Sequence, residues 1–149
     1  MVSELYGLPL SNASLYDGAS ATAEGVLMAR RLTRRSGVLM SSCVHPQYRE
    51  TTLSYMKGSF DDEAQVPIQT IPMNENGCAQ VDSLIDALSA DIACVVVGYP
   101  SYVGPMADLR RLADACHEQG VLLVVSVVEP YALALAEAPV SYTHLRAHE

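Results

Sequence analysis

The sequence predicts a three-layer α/β fold built on a mainly parallel sheet. Helix-like and strand-like segments alternate along the chain, the pattern of strands joined by crossover helices. Two runs, Ile92–Val97 and Val121–Val127, are continuously apolar and suit strands buried on both faces. Between such runs lies an amphipathic stripe, Val81, Leu84, Ile85 and Leu88, with helical spacing. The chain has 149 residues, the length of one domain, and half of them are hydrophobic, enough for a sizeable core.

The elements follow in order. Residues 1–16 read as an irregular lead-in. Asp17 is a candidate N-cap for a helix running to about Arg35, with Ala21, Gly25, Met28 and Leu32 on its inward face. Gly37 is expected to stop it, and Val38–Met40 to form a short strand. His45-Pro46 starts a second helix that ends at Lys57-Gly58, with Pro46 suited to the first helical position. Val66–Ile71 reads as a strand, and Pro67 assigns it to an edge or a strand start. Asn74–Gly77 is turn chemistry and leads to the helix of the Val81 stripe. After the Ile92–Val97 strand, Gly104-Pro105 opens a helix with Met106, Leu109, Leu112, Ala113 and Cys116 inward. Gly120 closes it, and Val121–Val127 is the last strand. Residues 1–139 thus carry the α/β pattern. Residues 140–149 follow none of this logic and read as an artefactual or disordered tail.

Charge excludes several roles. Asp and Glu number 17 against nine Lys and Arg, a net charge of −8. No basic footprint for nucleic acid exists, and an anionic membrane surface repels such a chain. No apolar run approaches the ~20 residues that span a bilayer, and Met1–Leu5 lacks the pattern of a secretory signal. Cys43, Cys78, Cys94 and Cys116 form no CxxC pair and read as free thiols of a reducing, cytoplasmic compartment. Cys43 and His45 lie two apart, but no CxxC or second His pair with metal-ligand spacing answers them, and no zinc or other metal site is expected. Lys57 is the only lysine, so any lysine chemistry must use it.

One segment invites a functional reading. Ser11–Glu24 is rich in small residues at a helix start, where open N–H groups can receive an anion and Ser20 and Thr22 add hydroxyls. Spacing alone equally fits a capped helix packed closely on the sheet, and that plainer alternative is favoured.

The segment also carries a family resemblance. Ser11-Asn12-Ala13-Ser14-Leu15-Tyr16-Asp17-Gly18-Ala19, His45-Pro46-Gln47-Tyr48-Arg49, Val95-Val96-Val97-Gly98-Tyr99-Pro100 and the run from Ala115 through Val127 to Glu129-Pro130 and Leu133-Ala134-Leu135 occur in one order. Together they resemble the glycine decarboxylase P-protein of the glycine cleavage system, specifically the first subunit of two-subunit forms. The resemblance covers roughly residues 3–139. It implies a piece of the large domain of the aspartate-aminotransferase-like, fold type I, pyridoxal-phosphate fold, in a much longer, heterotetrameric enzyme. It implies decarboxylation of glycine and passage of its aminomethyl group to the lipoyl H-protein, with the cofactor as electron sink. Such chemistry needs a lysine to hold pyridoxal phosphate. Lys57, at a helix end, is a poor one, and in two-subunit forms the cofactor lysine belongs to the second P-protein subunit. The resemblance places His45 where a ring stacks on the cofactor, although a helix-capping histidine fits as well. It also calls for an Asp after the last strand. Here the run reads Ser126-Val127-Val128-Glu129-Pro130, so that contact is expected to be lost unless Glu129 takes it. Asn12, Ser14, Tyr16, Ser20, Thr22, His45 and Glu129 are therefore the candidates for a pocket or subunit interface, and none is assigned a catalytic role.

Three rivals stand beside this expectation. One is a non-catalytic α/β module that holds an anion at Gly18–Thr22. Another is a piece of a different pyridoxal-phosphate transferase. The third is a Cys/His enzyme using Cys43 and His45, which on a strand would point to the same face.

Overall fold

A computed structural model describes residues 2–58 and 68–134. The tail 140–149, and Val66 and Pro67 of the expected edge strand, lie outside the described residues. The elements are α1 (Val2–Tyr6), α2 (Gly18–Thr33), β1 (Gly37–Ser41), α3 (Pro46–Gly58), β2 (Ile68–Ile71), α4 (Val81–Asp86), β3 (Ile92–Gly98), α5 (Arg110–Glu118) and β4 (Leu122–Ser126), followed by a 3-10 turn at Pro130–Ala134.

The four strands form one parallel sheet in the order β2-β1-β3-β4. Alternation along each strand divides the core between the two faces. Val38, Met40, Cys94 and Val96 turn to one face and meet Val26, Leu27 and Ala29 of α2 and Met56 of α3. Leu39, Val95, Val97 and Leu123 turn to the other and meet Leu84 of α4 and Leu112, Ala113 and Cys116 of α5. Helices thus cover both faces, which is the expected three-layer α/β arrangement. All seven residues of β3 are buried.

Local chemistry sets the ends of the elements. The lead-in is not wholly irregular, because Val2–Tyr6 makes a helical turn and Gly7 ends it at φ 68°. Gly7 N–H bonds to Glu4 O and Leu8 N–H to Ser3 O, the paired bonds of a Schellman stop. Gly120 closes α5 in the same way, at φ 63°, with Val121 N–H on Cys116 O.

Several expectations need correction. The stop of α2 is Arg34, a non-glycine residue at φ 57°, whose N–H bonds to Arg30 O. Gly37 instead opens β1. A Cβ there would lie 3.0 Å from Asp91 O and 2.8 Å from Ile92 Cδ1, so its glycine serves the approach of β1 to β3. The inward face of α2 is Ala19, Thr22, Ala23, Val26 and Ala29, while Met28 and Leu32 face outward at 54% and 67% exposure. The two stripes overlap in sequence, and the one made of smaller residues packs on the sheet.

Helix α5 begins at Arg110 rather than at Pro105. Gly104 sits at φ 110°, Ser101 N–H bonds back to Pro105 O, and the Asp108 carboxylate accepts Arg110 N–H at 3.0 Å. These bonds hold 101–109 as a loop and leave Met106 40% exposed. Finally, β4 is not buried on both faces. It forms a sheet edge, and Leu122, Val124 and Val125 are half-buried.

Candidate functional site

The chain leaves β1 for β2 on one side and returns as β3 on the other. A reversal of this kind opens a crevice at the C-terminal ends of the two strands, where α/β sheets hold their ligands. Two loops meet there. Gly98 passes so close to the Cys43 carbonyl that a Cβ would overlap it, and Tyr102 N–H donates to that same carbonyl at 3.0 Å. Tyr99 N–H bonds to Ser126 O at 2.9 Å and ties in the end of β4. Ser42 Oγ accepts Met73 N–H at 2.7 Å and fixes the loop after β2.

Above these loops lies an open cleft of about 570 Å³, lined by His45, Ser101, Tyr102, Val128, Glu129 and Tyr131 among others. His45 Nδ1 accepts Gln47 N–H at 3.3 Å, and its carbonyl accepts Tyr48 N–H. The residue thus caps α3 and also presents its ring to the cleft. With Nδ1 accepting, the neutral ring carries its proton on Nε2. The ring stands 5.4 Å from the Tyr48 ring and 6.0 Å, edge-on, from that of Tyr102. Glu129 Oε1 accepts Tyr131 N–H at 3.1 Å and starts the 3-10 turn.

The start of α2 lies at the same end of the sheet. The Tyr48 hydroxyl packs over Gly18, where a Cβ would require the tyrosine ring to shift. Thr22 Oγ1 donates to Gly18 O at 2.8 Å and lies 3.2 Å from Ser126 Oγ. Asp17 accepts Ser20 N–H at 2.7 Å, so the chain's own carboxylate occupies one of the amides that an anion would use. The backbone N–H of Ser20 chiefly holds the Asp17 carboxyl below its ordinary range. Asn12, Ser14 and Tyr16 lie on the exposed run before α2, outside the cleft, and Tyr16 is 96% exposed.

The structure therefore brings together Ser20, Thr22, His45 and Glu129 at one end of the sheet, with Asn12–Tyr16 leading into it. Tyr48, Ser101, Tyr102 and Ser126 are further candidates that were not among the expected site residues. Ser101 and Tyr102 are marked by position, in the loop that follows the apolar strand β3 of a parallel sheet, whereas Tyr48 sits in the first turn of α3 and Ser126 ends β4.

The Cys/His rival fails on geometry. Cys43 lies in the turn after β1, not on the strand, and its thiol points to Gly77 O at 3.6 Å within the core. Burial raises the Cys94 and Cys116 thiols to about 12, so they stay neutral and pack as apolar groups. No cluster of three or more metal-ligating side chains occurs among the described residues.

The cleft does not fit a covalently held pyridoxal phosphate on this chain's residues alone. Lys57 is exposed near the far end of α3, roughly 17 Å along the helix from Pro46 at ~1.5 Å per residue. That puts Lys57, the only lysine of the sequence, toward the opposite end of the sheet from the cleft.

The family model for the glycine cleavage system P-protein matches residues 1–144. The chain belongs to that family. The match runs past residue 139, the boundary expected from the sequence. "Probable glycine dehydrogenase (decarboxylating) subunit 1" of Sorangium cellulosum (strain So ce56) is 47% identical over 139 residues. The protein of the same name from Geobacillus kaustophilus (strain HTA426) is 38% identical over 139 residues. Either alignment covers 93% of this chain and 30% of the relative, so the chain spans about a third of their length.

Among solved structures, an inhibitor-bound glycine decarboxylase (P-protein) of the glycine cleavage system is 38% identical, with a TM-score of 0.82, covering 95% of this chain and 30% of that one. The Oryza sativa TDC crystallised with PLP and tryptamine shares the fold at a TM-score of 0.62 and 15% identity, over 83% of this chain and 30% of that one. The fold is a partial large domain of fold type I. The P-protein family also removes a different pyridoxal-phosphate transferase from consideration.

Proposed function

We propose that this chain is part of the first subunit of glycine dehydrogenase (decarboxylating), and that it shapes its partner's active site rather than holding the cofactor. One observation carries this reading: in a chain 47% identical to a subunit 1, the cleft lies at the C-terminal ends of the strands, while Lys57, the only lysine of these 149 residues, lies at the far end of α3 from Pro46. Pyridoxal phosphate, bound by the second P-protein subunit, supplies the electron sink for decarboxylation of glycine, and the lipoyl H-protein receives the aminomethyl group. The part of this chain is structural. His45, Tyr48 and Tyr102 form a rigid aromatic wall, and the knitted loops at Cys43 and Gly98 hold it in place.

The face offered to the partner is the run Asn12–Tyr16 with the helix start Gly18–Thr22. Tyr16 supports this, since a ring 96% exposed on the run before α2 joins apolar area to a polar tip, as interface tyrosines do.

Reconstitution tests both statements. The full-length subunit mixed with the second subunit and H-protein is expected to decarboxylate glycine, and either subunit alone to be inactive. Cofactor absorbance bound by this subunit alone and abolished by Lys57→Ala would overturn the division of labour. Tyr16→Ala is expected to weaken subunit association by ~2 kcal/mol or more and to lower glycine turnover with it. Wild-type affinity and turnover in a folded Tyr16→Ala variant would place the partner face elsewhere.

A further inference from the structure

At the opposite end of the sheet from the cleft, α2 ends in Arg30-Arg31-Leu32-Thr33-Arg34-Arg35, four of the nine basic residues of the chain within six positions. The rest of the sequence carries five basic residues against 17 acidic ones. The four arginines line one open concavity of about 720 Å³, together with Leu27, Ser36, Ala90 and Asp91.

The arginines divide into two pairs. Arg35 and Arg30 are anchored. Arg35 Nη1 donates to Ile92 O at 3.2 Å and Gln119 O at 3.0 Å, tying the end of α2 to β3 and α5. Arg30 Nη1 lies 3.2 Å from Met56 Sδ of α3, and burial lowers its pKa. Arg31 and Arg34 are exposed, and among the described residues their guanidinium groups have no hydrogen-bond or ion-pair partner. Asp91 is the one acidic residue in the lining.

We propose that this concavity docks a carboxylate-rich segment of a partner protein. Two arguments favour a protein segment over a small ion. The concavity is open, so it does not enclose a small ligand as binding pockets do. Leu27, in the lining between the arginines, adds an apolar contact that a simple anion would not use. Charge then selects the place of approach. The acidic remainder of the chain repels an acidic segment, and the arginine end of α2 is where that repulsion reverses. Two anchored arginines supply a fixed positive floor, and two free ones offer forks matched to carboxylates.

The test uses the full-length subunit assembled with its partner subunit and a fluorescent oligoglutamate peptide, read by anisotropy. The peptide is expected to bind at ~0.1 M salt and to weaken steeply toward ~0.5 M as the Debye length shrinks. Arg31→Glu with Arg34→Glu is expected to weaken it about tenfold or more, while Arg31→Lys with Arg34→Lys keeps most of the binding. Arg110→Glu, a reversal on an exposed arginine elsewhere, is expected to leave it unchanged. Thermal melts check folding, and Arg31→Glu alone serves if the double variant does not fold. Three results would overturn the proposal: no peptide binding by the wild type, equal loss in Arg110→Glu, or binding of inorganic tripolyphosphate with the same arginine dependence while the peptide fails to bind.

Discussion

Single residues fix the geometry of the cleft, and two of them give direct tests. Gly98 has no room for a methyl group against the Cys43 carbonyl, which is backbone and cannot swing away. Gly98→Ala is expected to destabilise the full-length subunit by ~1–3 kcal/mol, the usual range for overpacking, read from a denaturant midpoint. Asp17 gives a pH signature. Its folded pKa lies below the ordinary 3.8, mainly because Ser20 N–H bonds to the carboxylate. The contribution is therefore fully present above the unfolded value and is lost as pH falls through the folded one. Asp17→Ala is expected to lower the unfolding midpoint at pH 7, and the gap to wild type should close as the pH drops below 3.8. A gap that persists unchanged in acid would mean that the cap does not act through its charge. Residue chemistry explains what the sequence could reveal of the site. Asp17 as a cap and His45 at a helix start are local features, set by neighbours one to three positions away, and both are readable. Tyr102 beside His45, and Ser126 beside Thr22, are joined only by the sheet, and no local spacing signals either pair.

Elements follow the same division between local and distant causes. β3 and α3 are legible because a run of apolar residues and a Pro-led, Gly-ended helix are self-contained signals. The stop of α2 is not, because Gly37 offers the expected stop signal while its real constraint comes from Asp91 and Ile92 across the sheet. The length of β4 is legible and its edge position is not, since order within a sheet is a tertiary fact. The arginine stop of α2 has an energetic consequence. A non-glycine residue in the left-handed region costs ~1–2 kcal/mol, and Arg34 sits there at φ 57°. Arg34→Gly removes that cost and returns up to ~1 kcal/mol of it through the looser unfolded chain. A net stabilisation of several tenths to ~1 kcal/mol is expected on thermal unfolding. The same variant should bind oligoglutamate more weakly than wild type, because it deletes one of the two free arginines. A variant both less stable and equally competent in peptide binding would contradict the strain and the docking role together.

At the scale of the whole molecule, the two ends of the sheet and its β4 edge differ in chemistry. The C-terminal ends of the strands carry the aromatic cleft, and the N-terminal ends carry the arginines. Among the described residues no strand pairs with the outer side of β4, and the surface there is apolar. Leu122, Val124 and Val125 are half-buried there, and with Tyr6, Leu8 and Met28 they line an apolar recess of about 360 Å³ beside α2. Leu5, Leu10 and Leu32 add exposed apolar surface on α1, α2 and the run between them. An unpaired parallel strand next to such a surface offers both backbone groups and apolar contact to another chain. The 149-residue chain on its own is therefore expected to self-associate, and size-exclusion chromatography with light scattering should give a mass above the 16.0 kDa monomer that rises with concentration. Met28→Glu places a charge at the mouth of the recess on a side chain already 54% exposed, so it should shift the population toward monomer without loss of helix. In the full-length subunit the same substitution separates two causes. If the recess is covered there, Met28→Glu buries a charge and lowers the melting temperature, whereas an uncovered recess leaves it unchanged. A 149-residue chain that stays monomeric at high concentration and unfolds sharply would show that the open edge is tolerated, and that four strands with helices on both faces are enough for a stable unit.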